Sequence, residues 1–184
     1  FGAAQRRSME LMHELGLKSE RAHLLYNSGL HDWARLRLAA ARDLSQDILA
    51  LSGEGEEAQL AGHTLAGLVA WHQGDNAAAG DHLHQAVALY RIEAHAAMFQ
   101  KYMKDFGVFS LFYAGLTASV RGDFAAAQGF ADRAQQTSET LAIPHAMGFG
   151  LLAQFMTALM RGDTAAARHY SLLGEPLART HRFP

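Results

Sequence analysis

Gly74-Asp75-Asn76-Ala77-Ala78-Ala79 returns as Gly122-Asp123-Phe124-Ala125-Ala126-Ala127 and again as Gly162-Asp163-Thr164-Ala165-Ala166-Ala167. A degenerate copy, Leu36-Arg37-Leu38-Ala39-Ala40-Ala41, lies upstream. The alanine triplets begin at 39, 77, 125 and 165, giving spacings of 38, 48 and 40 residues. Self-similarity at such a period marks a stack of like units, each too small to bury its own apolar face. Glycine accepts the left-handed backbone that ends one helix, and aspartate suits the start of the next. Gly74, Gly122 and Gly162 are therefore read as turns between paired helices.

A second register agrees with the first. Gly29, Gly67 and Gly115 each fall seven residues before the turn position of their copy. Glycine inside a helix costs about 1 kcal/mol against alanine, so its recurrence predicts close approach of the paired helix. On the second helix of each pair, small residues recur at Ala41, Ala79, Ala127 and Ala167, then seven on at Ile48, Ala86, Ala134 and Gly174. Ser45, Leu83, Ala131 and Ser171 sit between them, so small and larger contacts alternate along the helix.

Composition supports helices throughout. Alanine and leucine dominate, with 25 Leu against 4 Val and 3 Ile, and helix formers without β-branched residues argue against a sheet. The 184 residues suffice for one domain or one short array. A formal net charge of -2 gives no electrostatic footprint for nucleic acid or an anionic membrane. The absence of Cys removes disulfides, thiolate metal sites and cysteine nucleophiles, and fits a reducing, cytoplasmic setting. Residues 141–160 lack Asp, Glu, Lys and Arg, but Pro144, His145 and Gln154 interrupt them and they keep the repeat register, so no membrane span is expected. The chain opens on Phe1 with no charged-then-apolar leader, and its first residues already read as helix interior. A segment of a longer protein is the expectation.

Periodicity and punctuation predict helices over 2–15, 19–34, 38–51, 56–73, 76–91, 94–104, 107–121, 124–140, 144–161 and 164–181. As one array, 1–184, these divide into the second helix of a truncated repeat (2–15), repeat 1 (19–51), repeat 2 (56–91), an inserted helix (92–105), repeat 3 (107–140) and repeat 4 (144–181). Gly53-Glu54-Gly55 ends the third helix, Pro144 suits a first turn, and Pro176 should kink or break the last helix.

The glycine, the Gly-Asp turn and the alanines four and eleven residues beyond Asp75 (Ala79 and Ala86) resemble the tetratricopeptide repeat. Copy one lacks the Gly-Asp turn, copy four has Phe155 in place of the glycine, and the spacings exceed the family's usual length. The run Ala79 to Tyr90 (with His82-Leu83-His84-Gln85-Ala86-Val87-Ala88-Leu89), followed by Asp105-Phe106-Gly107-Val108, is similar to the C-terminal repeat region of bacterial STAND-type signalling ATPases. In that family the latter segment commonly has proline where Phe106 stands. The resemblance implies an all-α, right-handed helical solenoid of antiparallel helix pairs, attached to a nucleotide-binding module and a cyclase or winged-helix output module.

It also implies that the first helix of each pair lines a concave groove. By register the groove positions are His23, Tyr26, Leu30 and Trp33; Ala61, Thr64, Leu68 and Trp71, with His72 at the edge; Phe109, Phe112, Leu116 and Ser119; and Phe149, Leu152, Met156 and Leu159. Such a surface takes a partner helix, a peptide or a small apolar ligand; alternatively the array closes over it, or the inserted helix fills it, and the side chains are core. No Lys or Arg occupies these positions, against a clamp for peptide carboxylates.

No two of the eleven histidines stand three or four apart, so no helix carries a metal-chelating pair, and no cofactor is expected. Asp105-Phe106-Gly107 lacks the companions of a kinase site, and Arg121-Gly122-Asp123 and Arg161-Gly162-Asp163 are explained by the repeat turn. No phosphate-binding loop or nucleophile elbow is present. The acidic Glu54, Glu56 and Glu57 suit a helix N-terminus. The expected function is a non-catalytic module for protein interaction or signal sensing, whose partner is a protein, a peptide or another domain of the same chain. Pairing of two copies through the array ends would give a homodimer.

Overall fold

The computed structural model describes residues 18–51 and 55–182, together with positions 7 and 11. Most of the helix expected over 2–15, and residues 52–54 of the expected turn, lie outside the described residues. All regular structure among the described residues is helical: α1 (Lys18–Ala34), α2 (Leu38–Ala50), α3 (Glu56–His72), α4 (Asn76–Leu89), α5 (Ile92–His95), α6 (Met98–Tyr102), α7 (Phe106–Val120), α8 (Phe124–Leu141), α9 (Pro144–Arg161) and α10 (Thr164–His181).

The turns form as their residues dictate. Gly74, Gly122 and Gly162 have φ of 81°, 78° and 80°, and the following Asp75, Asp123 and Asp163 each accept the N–H of the residue three on (Ala78, Ala126, Ala166) at 3.0 Å. Copy one adopts the same turn without glycine. Leu36 takes φ 58°, and the Arg37 N–H reaches the Asp32 carbonyl as Asp75 reaches Ala70, Asp123 reaches Ala118 and Asp163 reaches Ala158. Arg37 offers no side-chain cap, so this copy keeps the backbone pattern and lacks the capping hydrogen bond.

Four hairpins result: α1 packs on α2, α3 on α4, α7 on α8 and α9 on α10. Each second helix also packs on the first helix of the next pair (α2 on α3, α4 on α7, α8 on α9), and the first helices pack on one another in order. The alternation read from the second helices is realised in three of them. Ala41, Ser45 and Ile48, then Ala79, Leu83 and Ala86, then Ala127, Ala131 and Ala134 are all buried. In α10 only Ala167 is. The helical glycines do not share one partner. A Cβ on Gly67 would meet Leu83 of the paired helix at 2.6 Å, as expected, whereas one on Gly29 would meet Leu65 of α3 at 2.4 Å. At Gly115 the nearest atom would be the Ala127 carbonyl at 3.5 Å, ordinary contact that does not demand glycine.

Two expectations need correction. The insertion is not one helix but two short ones, α5 and α6, closed by Met103 in left-handed backbone (φ 52°). Ala96 and Ala97 between them keep right-handed helical backbone, and side chains dock the insertion on α3: Arg91 donates to Glu56, while Lys101 and the Tyr102 hydroxyl donate to Glu57 at 2.7 and 2.8 Å. The acidic helix start is thus also a dock. Secondly, α10 is not broken at Pro176 but runs through it to His181.

Candidate functional site

Aromatic rings from all four first helices form one connected band. Trp33 meets His72 (5.1 Å between ring centres), His72 meets Trp71 (4.8 Å), and Trp71 meets Tyr113 (5.5 Å). Tyr113 meets Phe109 and Phe112 (4.9 and 5.0 Å), both reach Phe149 (5.4 and 5.6 Å), and Phe149 meets His145 (5.2 Å). Most of these contacts are edge-to-face, the geometry the ring quadrupoles favour.

The structure divides the groove positions into two sets. Tyr26, Thr64, Leu68, Phe109, Phe112 and Leu116 are buried, as are Ala61 and Ser119. Tyr26 is covered by Tyr102 of the insertion and by Phe106, with ring centres 5.3 and 5.0 Å away, and Thr64 is occupied by a 3.0 Å hydroxyl contact with Ser110 of α7. Leu30, Trp33, Trp71, Phe149 and Met156 are half-buried, and Leu152 and Leu159 are exposed. A side chain with no exposed surface cannot meet a partner in this packing, so the reachable part of the band lies at Trp33–Trp71 and along α9. The indole N–H groups of Trp33 and Trp71 and the hydroxyl of Ser119 share one repeat position, and none makes a hydrogen bond.

Beyond the band, α9 and α10 enclose a cleft of about 530 Å³. Its walls are Gly148, Leu151, Leu152 and Phe155 of α9 and Tyr170, Gly174, Leu177 and Ala178 of α10, with His145 and Phe149 at one end. Lys104, just before α7, places its ammonium 3.7 Å from the centre of the Phe109 ring. Burial pushes the Lys104 ammonium down to about 8, and its charge in turn lowers His145, which burial lowers first. A cation on a ring face is stabilised by the ring quadrupole. Asp105, next in sequence, is committed elsewhere: it accepts the Tyr90 hydroxyl at 2.6 Å and the Val108 N–H at 2.8 Å, capping α7.

The hairpin α3–α4 brings together His63 and His82, Nδ1 to Nδ1 at 3.0 Å. One imidazole must donate and the other accept, and desolvation lowers the pKa of both. Among the described residues no group of three or more His, Asp and Glu side chains converges as a metal site, and no helix is long and apolar enough to cross a membrane. The repeat register found the band, but not Tyr113, Lys104, the His63–His82 contact or the α10 wall of the cleft; each depends on which helices become neighbours. No protein-family model matches the chain, and no curated protein does.

Proposed function

We propose that the chain is a right-handed solenoid of tetratricopeptide-like helix pairs that serves as a non-catalytic protein-interaction or signal-sensing module. By its sequence resemblance it belongs to a larger bacterial signalling or transcription-regulatory protein of the STAND-ATPase kind, acting in the cytoplasm. The neighbour pattern, in which first helices stack in order and each second helix supports the next pair, is that of a repeat array. One observation carries the binding role: apolar side chains of the first helices stay reachable at both ends of the aromatic band, at Trp33 and Trp71 and along Phe149, Leu152 and Met156. Apolar and aromatic side chains gathered on one face are the anchors protein interfaces use.

Selection of 18-residue peptides displayed on phage against the purified chain tests this. Peptides that bind and lose affinity at least tenfold on Trp71→Ala or Leu152→Asp support it. An unfolded variant is recognised by its circular dichroism and set aside in favour of the other. Selection that yields nothing above a scrambled-sequence control overturns it. The cleft between α9 and α10 favours a second reading, a sensor for a small apolar molecule, because 530 Å³ falls within the range of ligand pockets. Thermal-shift measurements with apolar compounds of ten to twenty heavy atoms decide that reading.

A further inference from the structure

Lysine is scarce in this chain: Lys18, Lys101 and Lys104 are the whole complement. Lys101 is committed, donating to Glu57 at 2.7 Å and lying 3.8 Å from Glu20. Lys104 is placed differently. The left-handed turn at Met103 and the Asp105 cap of α7 fix the backbone on either side of it. Its half-buried side chain lays the ammonium 3.7 Å from the centre of the Phe109 ring. Among the described residues no carboxylate pairs with it. Asp105, the acid nearest in sequence, is taken up by the Tyr90 hydroxyl and the Val108 N–H. The titratable group that feels the Lys104 charge is His145 of α9.

Rings continue outward from Phe109. It meets Phe149 at 5.4 Å, Phe149 meets His145 at 5.2 Å, and His145 faces Phe99 of α6 at 6.0 Å. Helices α6, α7 and α9 thus contribute to one aromatic wall that starts beneath the Lys104 ammonium. Phe99, His145 and Phe149 are half-buried, so a planar molecule can reach them. Burial, with no acid to oppose it, pushes the ammonium down to about 8. At pH 7.4 about a fifth of such amines carry a free lone pair, against roughly one in a thousand for an ordinary lysine. A desolvated lysine in apolar surroundings is a nucleophile toward carbonyl carbon. Aldehydes suit this position better than acyl donors. Acylation would leave a neutral amide on a ring face that favours a cation, whereas a protonated imine keeps the positive charge there.

We propose that Lys104 is a covalent capture site for small apolar aldehydes, aromatic ones above all, which it holds as an imine against Phe109. The lone pair of the neutral amine attacks the carbonyl carbon, forming the C–N bond while the carbonyl π pair moves to oxygen. A proton passes from nitrogen to oxygen through water, giving a carbinolamine. The nitrogen lone pair then forms the C=N bond as the C–O bond breaks, and the hydroxyl takes a proton and leaves as water. The iminium proton exchanges with solvent. Amine and aldehyde thus give imine and water, with no oxidant or reductant, and hydrolysis releases the aldehyde unchanged. The site goes beyond the interaction-module reading and does not depend on it.

The test incubates the full 184-residue chain with 2-naphthaldehyde and cyanoborohydride at pH 7.4. The reductant fixes each imine as a secondary amine, and peptide mapping by mass spectrometry locates the adducts, any terminal amine being counted separately. Lys104 should be labelled at least tenfold faster than Lys101 and Lys18. The preference should vanish in 6 M guanidinium chloride, and should fall at least threefold when glyceraldehyde, a polar aldehyde, replaces naphthaldehyde. Lys104→Arg should remove the fast adduct while circular dichroism stays unchanged. Labelling of Lys104 no faster than that of the other two lysines overturns the proposal. So does a preference that survives guanidinium, since the fold would then not create it, or one that glyceraldehyde shares in full, since the aromatic wall would then select nothing.

Discussion

α8 and α10 begin alike and end differently. Both follow a Gly-Asp turn with positive φ, both are capped by the aspartate at 3.0 Å, and both run for 18 residues. Yet α8 buries Ala127, Ala131, Ala134 and Ser138, while α10 buries Ala167 alone. The cause is the roof. α9 packs on α8, whereas no helix among the described residues packs on the outer face of α10. Turn and helix are local products of sequence; burial is the gift of the neighbour.

Equivalent positions on covered and open helices should therefore respond differently to substitution. The largest difference is expected where α4 is compared with α10. Leu83→Ala removes a side chain with no exposed surface that packs on Gly67 of the paired α3, and large-to-small changes of that kind cost about 2–5 kcal/mol. Ser171→Ala at the equivalent, exposed position should stay within about 0.5 kcal/mol. Urea unfolding of both variants reads the contrast directly, and equal losses would show that α10 is covered in solution.

A smaller contrast of opposite sign is expected seven residues beyond the last triplet alanine. Ala134 is buried beneath α9, so Ala134→Leu overpacks the joint and should cost about 1–3 kcal/mol. At Gly174 an added Cβ would meet nothing within 4 Å, so Gly174→Ala should gain roughly 0.5–1 kcal/mol from helix propensity alone. A loss at Gly174 in thermal unfolding would show that its backbone is needed for a contact.

The turns should behave alike whether or not the helix that follows is covered. Asp123→Ala removes the hydrogen bond to the Ala126 N–H and should cost about 1 kcal/mol. Asp163→Ala, at the start of the open helix, should destabilise in the same direction, because the cap closes within its own turn. If only Asp123 matters, capping in this protein depends on tertiary cover, and the separation of local from neighbour-given structure fails.

That separation also explains how much was legible in the sequence. The Gly-Asp turns, the alanine triplets and the apolar period are local signals, and the long helices among the described residues fall within two residues of the positions they predict. In the insertion the apolar period gives helical backbone but not the docking of Arg91, Lys101 and Tyr102 on Glu56 and Glu57, which lie outside its own segment. The groove positions fall on the first helices of the four pairs, and Tyr26 is closed over by Tyr102, a residue of the insertion. His63 and His82 are nineteen apart on different helices, where a search for chelating spacing within one helix cannot find them.

The histidine pair supplies the subtlest test of what cover does. Desolvation between α3 and α4 lowers the pKa of both rings from 6.5; the charge of His82 lowers His63 further, while Asp81 partly offsets the shift of His82. In the folded state they bind fewer protons than in the unfolded chain wherever the pH lies between the lowered values and 6.5. Unfolding then takes up protons, so stability rises with pH through that window and is lost as pH falls below about 6.5. His145 is lowered as well and adds to the same slope, so the pair is isolated by difference. The double variant His63→Gln, His82→Gln should unfold with a visibly flatter pH dependence between pH 5 and 7 than the parent chain, measured by urea midpoints at 0.15 M salt. An unchanged slope would mean that the two rings are solvated enough to titrate as they do in the unfolded chain, and that the cover between α3 and α4 is looser than the cover that buries Leu83 beside it.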